Sequence, residues 1–460
     1  AETLVPNIRR TREEMTAALS GFSGGFVRPG PSGSPTRGQA DILPTGRNFF
    51  SLDPRTTPSP GAWEVGKALG DRLIERCLEE EGKYPESVGI IVWGCPTMRT
   101  RGDDIAEILY LLGLRPVWQA NGIVSGLEVI PLEELGRPRI DVVPRISGFF
   151  RDAFPNLVQL IDNAVRMVAM LEEQVESNLI RRHVLADREK YRKEGAGEDE
   201  AWRLATLRVF GCPPGTYGAG IAELIESKQW KTQQDLGEAY ILYSSHAYGQ
   251  GVYGTQSQKL FRQLLSRMDV TVKNEDSREY DMLSCTDFYN YYGGLIAASA
   301  TVRGTMPFAL VGDSSDPRRV LLRTTHEEAK HVLRSRLLNP KWLEGLKRHG
   351  YKGAGDISKV MDIIIGWDAT AQVMEDWMYE RVANRYALDP EMQKWLKEVN
   401  PYALQNILDK LLETIERGMW NAGDEMRHQL RDAYLDVEGE IEEVTDTTAG
   451  LAAMADAVGA

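Results

Sequence analysis

Over residues 140–156 the sequence passes from an apolar strand core (Ile140, Val142, Val143) into a loop, and from there into a helix. The loop carries Arg145, Ser147, Gly148, Arg151 and Asp152. Charged and small residues at the carboxyl end of a strand are where open α/β sheets place the groups that hold ligands. An ordinary surface loop needs no such series. The same alternation runs upstream. Ser59 opens a helix through Leu78, residues 88–93 form an apolar run of strand length, and residues 103–112 are helical up to Gly113. Residues 116–118 and 127–130 are short strand candidates. Strands alternating with helices predict a parallel sheet with crossover helices. A long helix follows Pro155, with Leu157, Leu160, Ile161, Val165 and Val168 on one face.

The rest of the chain reads differently. Residues 1–20 suggest a short helix ending near Gly21. Residues 21–46 are a loop dense in Gly, Pro and Ser, where a linker is the default. Phe22, Phe26 and the following Gly46-Arg47-Asn48-Phe49 argue for a packed loop instead. Residues 183–205 have the charge and spacing of a solvated helix-loop-helix. Residues 207–325 mix short helices with Gly-rich turns, with a strand at 306–312 and a loop at 313–319. From 325 to about 442 the pattern is helical, with breaks at Pro340, Gly350, Gly366, Pro390 and Pro401. The tail after Thr445 is rich in small residues and is expected to be disordered. The fold class is therefore α/β, a parallel-sheet amino-terminal half followed by a mostly helical carboxyl-terminal region. The expected division is 1–46 (helix and loop), 47–182 (α/β), 183–324 (mixed α/β), 325–445 (helical) and 446–460 (tail).

Composition excludes some functions. With 460 residues and a net charge of −13, the chain is long enough for several cores and too acidic overall for a nucleic-acid binder. Its four cysteines form no CxxC pair, so neither a zinc cluster nor a disulfide framework is indicated, which fits a reducing cytoplasm. No apolar run approaches the ~20 residues a membrane helix requires. The amino terminus lacks both the apolar centre of a signal peptide and an initiator Met, so a processed product or a piece of a longer chain is expected.

No phosphate-binding GxxxxGK[ST] or strand-linked GxGxxG occurs, so this chain does not itself carry an ATPase site. His326 and His331, five apart on a helix, point about 140° apart and cannot share one metal. His349 stands in Arg348-His349-Gly350-Tyr351, at an expected helix end where a cation suits the carbonyls. The densest constellation is DMLSCTDFYNYYGG at 281–294, two acids, a thiol, an amide, three tyrosines and a Gly pair. Oxygen donors of this kind suit a divalent ion or proton removal, although Tyr-rich turns also simply pack. Asp313 in Gly312-Asp313-Ser314-Ser315-Asp316-Pro317 reads as a cap or an ion ligand, and Asp368 as the cap of a helix beginning near Gly366.

Several of these segments resemble one family, the large subunit of class I metal chelatases, which takes in the cobaltochelatase CobN-type subunit and the H-type subunit of magnesium chelatase. The collinear pieces are GRNFFSLDPRTTPS, SVGIIVWGCPTMRTRGDDIAEIL, PLEELGRPRIDVVPRISGFFRDAFPN, RVFGCPPGTYGAGI, ALVGDSSDP, NPKWLEGLKRHGYKGA and GWDATAQVMEDWMYE. They cover most of residues 40–440. RHGYKGA, GWDATA, GDSSDP and the Gly-Gly after Tyr292 are similar to the cobalt branch. Family large subunits are well over twice this length, and the chain resembles their carboxyl-terminal part. One departure stands out: the cobalt-type pattern carries His before the Gly-Gly pair, where this chain has Tyr292. A phenol with a pKa near 10 is a poor metal ligand at neutral pH.

The resemblance implies a ligase that forms nitrogen–metal bonds. It would insert Co2+ into a tetrapyrrole such as hydrogenobyrinic acid a,c-diamide in cobalamin biosynthesis, with ATP hydrolysed by partner subunits. Its alternatives are Mg2+ insertion into protoporphyrin IX, or a ring-binding carrier or scaffold. The implied partners are AAA+ ATPase and integrin-like chelatase subunits and an amino-terminal part of the large subunit, with no nucleic acid and no membrane segment. On this reading Asp287 removes protons or relays the metal, beside Asn290, and His349 is a second metal candidate. Arg145, Ser147, Arg151, Asp152, Tyr291 and Tyr292 line the ring.

Overall fold

A computed structural model of the protein describes residues 2–35, 39–50 and 52–458. The chain divides into two compact units, neither contiguous in sequence. The first takes in residues 1–219, 237–279 and 298–323, the second residues 220–236, 280–297 and 324–460. Two short segments thus leave the middle of the region expected to form one mixed domain at 183–324, and they join the carboxyl-terminal helices.

The first unit is built on an eight-stranded sheet. Its spatial order is Leu321–Thr324, Phe308–Asp313, Val270–Glu275, Ser87–Val92, Asp141–Ile146, Val209–Gly211, His246–Gly249, Val252–Gln256. The central pairings are parallel, with Val88 opposite both Val270 and Val142. The last three strands pair antiparallel. This is the expected α/β architecture. Every residue of Ser87–Val92 and of Asp141–Ile146 is buried, as strands covered on both faces require. The chain lays strands outward on one side of Ser87–Val92 and then returns to its other side with Val270–Glu275, so the order reverses at that seam.

Local chemistry sets the flanking helices. Pro60–Glu81 starts on Ser59, whose hydroxyl accepts from the Ala62 N–H, with proline in the first turn, and ends on left-handed Gly82. Asp103–Leu112 is buried along its whole length, acids included. It stops at Gly113, where φ is +77° and a Cβ would stand 2.2 Å from Arg139 Nη1.

Some expectations change. The strand candidates near 116–118 and 127–130 pair with each other as an antiparallel hairpin, Leu114–Trp118 with Val124–Val129, outside the main sheet. Most of their residues are partly or fully exposed, which suits a ribbon better than a covered strand. The expected solvated helix-loop-helix forms Leu179–Lys193 and Glu198–Thr206, but one face is buried. There His183 Nδ1 lies 2.8 Å from Asp141, which also accepts from Arg208 Nε at 2.8 Å. Phe22 and Phe26, expected to pack inward, are 90% and 83% exposed. Residues 36–38 of that loop lie outside the described residues.

The second unit is helical, as expected. Its centre is Gly350–Ala371, against which Pro401–Glu416 and the Tyr289–Gly293 turn pack. This helix runs straight through Gly366, so Asp368 lies in its last turn instead of capping a new one. The Asp368 carboxylate accepts from the Met374 N–H at 2.9 Å and from Tyr379 Oη at 2.7 Å, closing the chain reversal after the helix. Asp424–Val458 is one helix, so the tail expected to be disordered is helical to 458, in keeping with its alanines. Residues 459–460 lie outside the described residues. No described helix is long and apolar enough to cross a membrane.

Candidate functional site

Two places hold the residues singled out from sequence, one in each unit. In the first unit, the loop after strand Asp141–Ile146 is organised by Ser147, whose hydroxyl accepts from the Phe150 N–H at 3.1 Å and caps helix Gly148–Ala153. A Cβ on Gly148 would stand 2.7 Å from both the Thr216 carbonyl and the Tyr217 ring, so glycine admits the 212–218 loop. Arg151 is buried and grips that loop. Its Nε and Nη2 donate to the two oxygens of Asp152 at 2.7 and 2.8 Å. Its Nη1 donates to the carbonyls of Pro213 and Thr216 at 2.8 and 3.2 Å. Tyr217 Oη adds a 2.9 Å bond to Asp152. Hydrogen bonding to Asp152 raises the guanidinium pKa further above its ordinary value, and Arg151 in turn holds the Asp152 carboxyl below the usual range.

Arg145 is fully buried. It donates to the Ile146 and Gly218 carbonyls at 2.6 and 3.0 Å and to Ser244 Oγ at 2.9 Å, with the Tyr240 ring alongside. Both guanidinium groups are engaged by the protein itself. That favours their positioning the Cys212–Gly218 loop over direct contact with a ligand carboxylate.

The second place is the 281–294 stretch. Arg336 Nη1 fixes its start by donating to Asp281 at 2.6 Å and to Ser284 at 2.9 Å. At its end the backbone widens into a π-helical turn, Tyr289–Gly293, a feature frequent at functional sites. Asn290 is buried, and its Oδ1 accepts from the Ile221 and Ala222 N–H groups at 3.0 and 3.3 Å. Its side chain also favours the charged form of Asp287. Asp287 is solvent-exposed but enclosed enough by its surroundings that desolvation raises its carboxyl pKa. The nearby Glu223 charge adds to the rise, and the Asn290 bond opposes it. Tyr291 and Tyr292 lie in the core, Tyr292 edge-on to Trp367 at 6.0 Å.

Ser284, Cys285, Thr286 and Tyr289 of this stretch form one wall of a cavity of about 430 Å3, within the usual range for small-molecule sites of ~300–1,000 Å3. Helix Gly350–Ala371 supplies Lys359 and Asp362 to the opposite wall, and Pro401–Glu416 supplies Lys410. Lys410 Nζ lies 3.2 Å from Glu413 and 3.8 Å from Asp362. Lys359 is exposed and has no ion-pair partner among the described residues. Burial raises the Asp362 carboxyl against the pull of Lys410, with Glu226 and Glu413 raising it further. Burial likewise raises the Tyr289 phenol and the Cys285 thiol, so both are neutral at pH 7. The cavity therefore offers an ammonium uncommitted to any described carboxylate, and a carboxylate more basic than usual.

Sequence reading misses Lys359, Asp362 and Lys410. The only signal is their spacing, Lys359 and Asp362 at i, i+3 on one helix face, which a solvated surface also shows. His349 is exposed at the junction of helices Pro340–Lys347 and Gly350–Ala371. Among the described residues no three His, Cys, Asp or Glu side chains gather to hold a metal ion, so Asp287 and His349 belong to no complete ligand set there.

Comparison with known proteins extends these observations. Residues 1–427 match the family model described as CobN/Magnesium Chelatase. The aerobic cobaltochelatase subunit CobN of Pseudomonas aeruginosa is 44% identical over 428 residues, 93% of this chain and 34% of that protein. The H-type magnesium-chelatase subunit of Chlorobaculum parvum is 35% identical over 435 residues, 94% of this chain and 34% of that protein. A solved structure of the catalytic subunit of cobaltochelatase from Mycobacterium tuberculosis superposes with a TM-score of 0.89 at 44% identity, covering 95% of this chain and 37% of that one. The chain thus spans about a third of the length of the relatives it matches.

Proposed function

The chain belongs to the CobN/magnesium chelatase family, and on that premise we propose that it forms the ring-handling part of a cobalt-type chelatase large subunit. The reaction is insertion of Co2+ as substrate into a corrinoid-type tetrapyrrole, with ATP hydrolysed by partner AAA+ subunits. The observation that carries this reading is the cavity beside the 281–294 stretch. It joins Lys359, an ammonium with no ion-pair partner among the described residues, to the Asp362 carboxyl, and Asp287 follows its lining residue Thr286 in sequence; the pKa values of both carboxyls are raised.

Metal insertion replaces two pyrrole N–H protons, so the site needs proton acceptors near the ring centre and cations for the ring's peripheral carboxylates. Asp287 and Asp362 suit the first task, because a carboxylate above its ordinary pKa takes a proton more readily at neutral pH. Lys359 suits the second. Asn290 orients Asp287 while anchoring the Ile221–Ala222 backbone. Arg145 and Arg151, expected to contact the ring, act one step back by holding the Cys212–Gly218 loop and its exposed Tyr217.

Absorbance titration with a metal-free cobyrinate-type ring and with protoporphyrin IX tests the proposal. The corrinoid ring binds with the lower dissociation constant, and Lys359→Ala weakens it about tenfold. Preference for protoporphyrin IX favours the magnesium reaction. Equal binding by wild type and Lys359→Ala removes the cavity from the account. In a complex reconstituted with partner subunits, Asp287→Asn abolishes insertion and leaves ring binding intact.

A further inference from the structure

The amino-terminal helix is amphipathic the wrong way round. Residues 4–22 are helical almost without interruption, and none is buried. Val5, Ile8, Arg12, Met15, Leu19 and Phe22 recur at alternating spacings of three and four, the a/d seam of a coiled coil, and Phe26 continues the series beyond the helix. The apolar members are 44% to 90% exposed. The face turned to the rest of its own unit is the polar and small one. Asn7, Thr11, Ala17 and Ser20 are its half-buried positions, and Asn7 Nδ2 donates to the Leu43 carbonyl at 3.4 Å. Behind the helix, Gly46 comes so close that an added Cβ would stand 2.7–2.9 Å from the backbone of Glu13 and Glu14. The helix is thus held by its polar side, with an apolar seam facing away. A contiguous exposed apolar seam marks a surface that something covers.

We propose that this seam is the docking surface for an amphipathic helix from the remainder of the chelatase large subunit. Two observations select that occupant over a second copy of the chain. The relatives carry about two thirds of their length outside the matched region, enough to supply covering elements. The seam also carries Arg12 at a core position and Arg9 beside it, and neither has an ion-pair partner among the described residues, whereas Arg10 is paired with Glu13 at 2.7 Å. A second copy would bring like charges together at the seam, whereas a helix with an acid opposite Arg12 would neutralise it. The proposal rests on family membership and not on which metal or ring is handled.

The test uses the whole chain and, as probe, the remaining two thirds of the Pseudomonas aeruginosa CobN protein expressed as a separate polypeptide. Light scattering after gel filtration should show a one-to-one complex, and titration calorimetry should show the Leu19→Glu/Phe22→Glu double variant binding at least about tenfold more weakly. Both substitutions are at exposed positions, so an unchanged melting temperature confirms that the variant is folded. Three outcomes overturn the proposal: no complex with wild type, equal affinity of wild type and variant, or a wild-type homodimer that the double substitution dissociates. Variant-sensitive sedimentation with phosphatidylglycerol vesicles, in place of protein binding, would assign the seam to a membrane surface and equally overturn it.

Discussion

Asn274 donates its side-chain amide to the Glu107 carboxylate at 2.5 Å, and both residues are buried. The same amide bonds Asp104 at 2.9 Å, at the seam where the strand order of the sheet reverses. Burial pushes the Glu107 carboxyl up to about 8, against the Asn274 bond, with Asp104 and Asp103 adding to the rise. The folded state therefore holds this proton more tightly than the unfolded chain. The resulting stability is complete below the ordinary glutamate pKa and is lost as pH rises through about 8. Thermal melts across pH 5–9 should show the decline, on the order of a few kcal/mol. Glu107→Gln should flatten it and raise stability at pH 9. An identical slope in the variant would refute the assignment.

Asn290 has two jobs that one substitution separates. Asn290→Ala leaves the Ile221 and Ala222 N–H groups without their acceptor, a cost of about 1–3 kcal/mol readable in urea melts. It also removes the bond that lowers the Asp287 pKa, so the Asp287 carboxyl moves further up in an NMR titration. A fall of the Asp287 pKa would contradict this geometry.

Arg151→Ala releases the 212–218 loop. Cys212, buried and 3.6 Å from Arg151 Nη1, should then react with a thiol reagent at least several-fold faster. Peptide-level mass spectrometry separates this signal from that of exposed Cys95. Unchanged labelling of Cys212 would mean that the loop is held by other contacts.

Gly366→Ala tests the wall of the cavity. An added Cβ would stand 2.4–2.5 Å from the Tyr289 ring, and helix Gly350–Ala371 leaves it no room to move aside. The cost should be about 1–3 kcal/mol. Combining it with Tyr289→Leu should recover much of that loss, and strictly additive effects would show that the two residues do not press on each other.

The parts of this structure that are legible in the sequence are those fixed by local chemistry. Ser59 before proline, the continuous apolar run over residues 88–93, and Gly113 after a helical run each place an element to within a residue or so. The hairpin Leu114–Trp118/Val124–Val129 escapes such a reading because short apolar runs do not say which strand they pair with. Gly366 has the look of a helix break, yet it is a packing glycine made necessary by Tyr289, 77 positions away in sequence. At the site, the 281–294 stretch stands out through its density of polar groups. The commitments of Arg145 and Arg151 do not, because their acceptors Gly218, Ser244 and Thr216 come from distant segments. Lys359 and Asp362 are hidden by looking like any solvated helix face.

The reversal of strand order also governs when the protein can fold. Ser87–Val92 finds one parallel neighbour at Asp141–Ile146 and the other only at Val270–Glu275. During synthesis, its open side stays unpaired while the chain grows from Ile146 to Val270. Such long-range parallel pairing is slow and leaves apolar edges exposed in the interim. Ribosome-bound chains truncated before residue 270 should therefore be protease-sensitive and chaperone-bound, and protection should appear abruptly once residues 270–323 have cleared the exit tunnel.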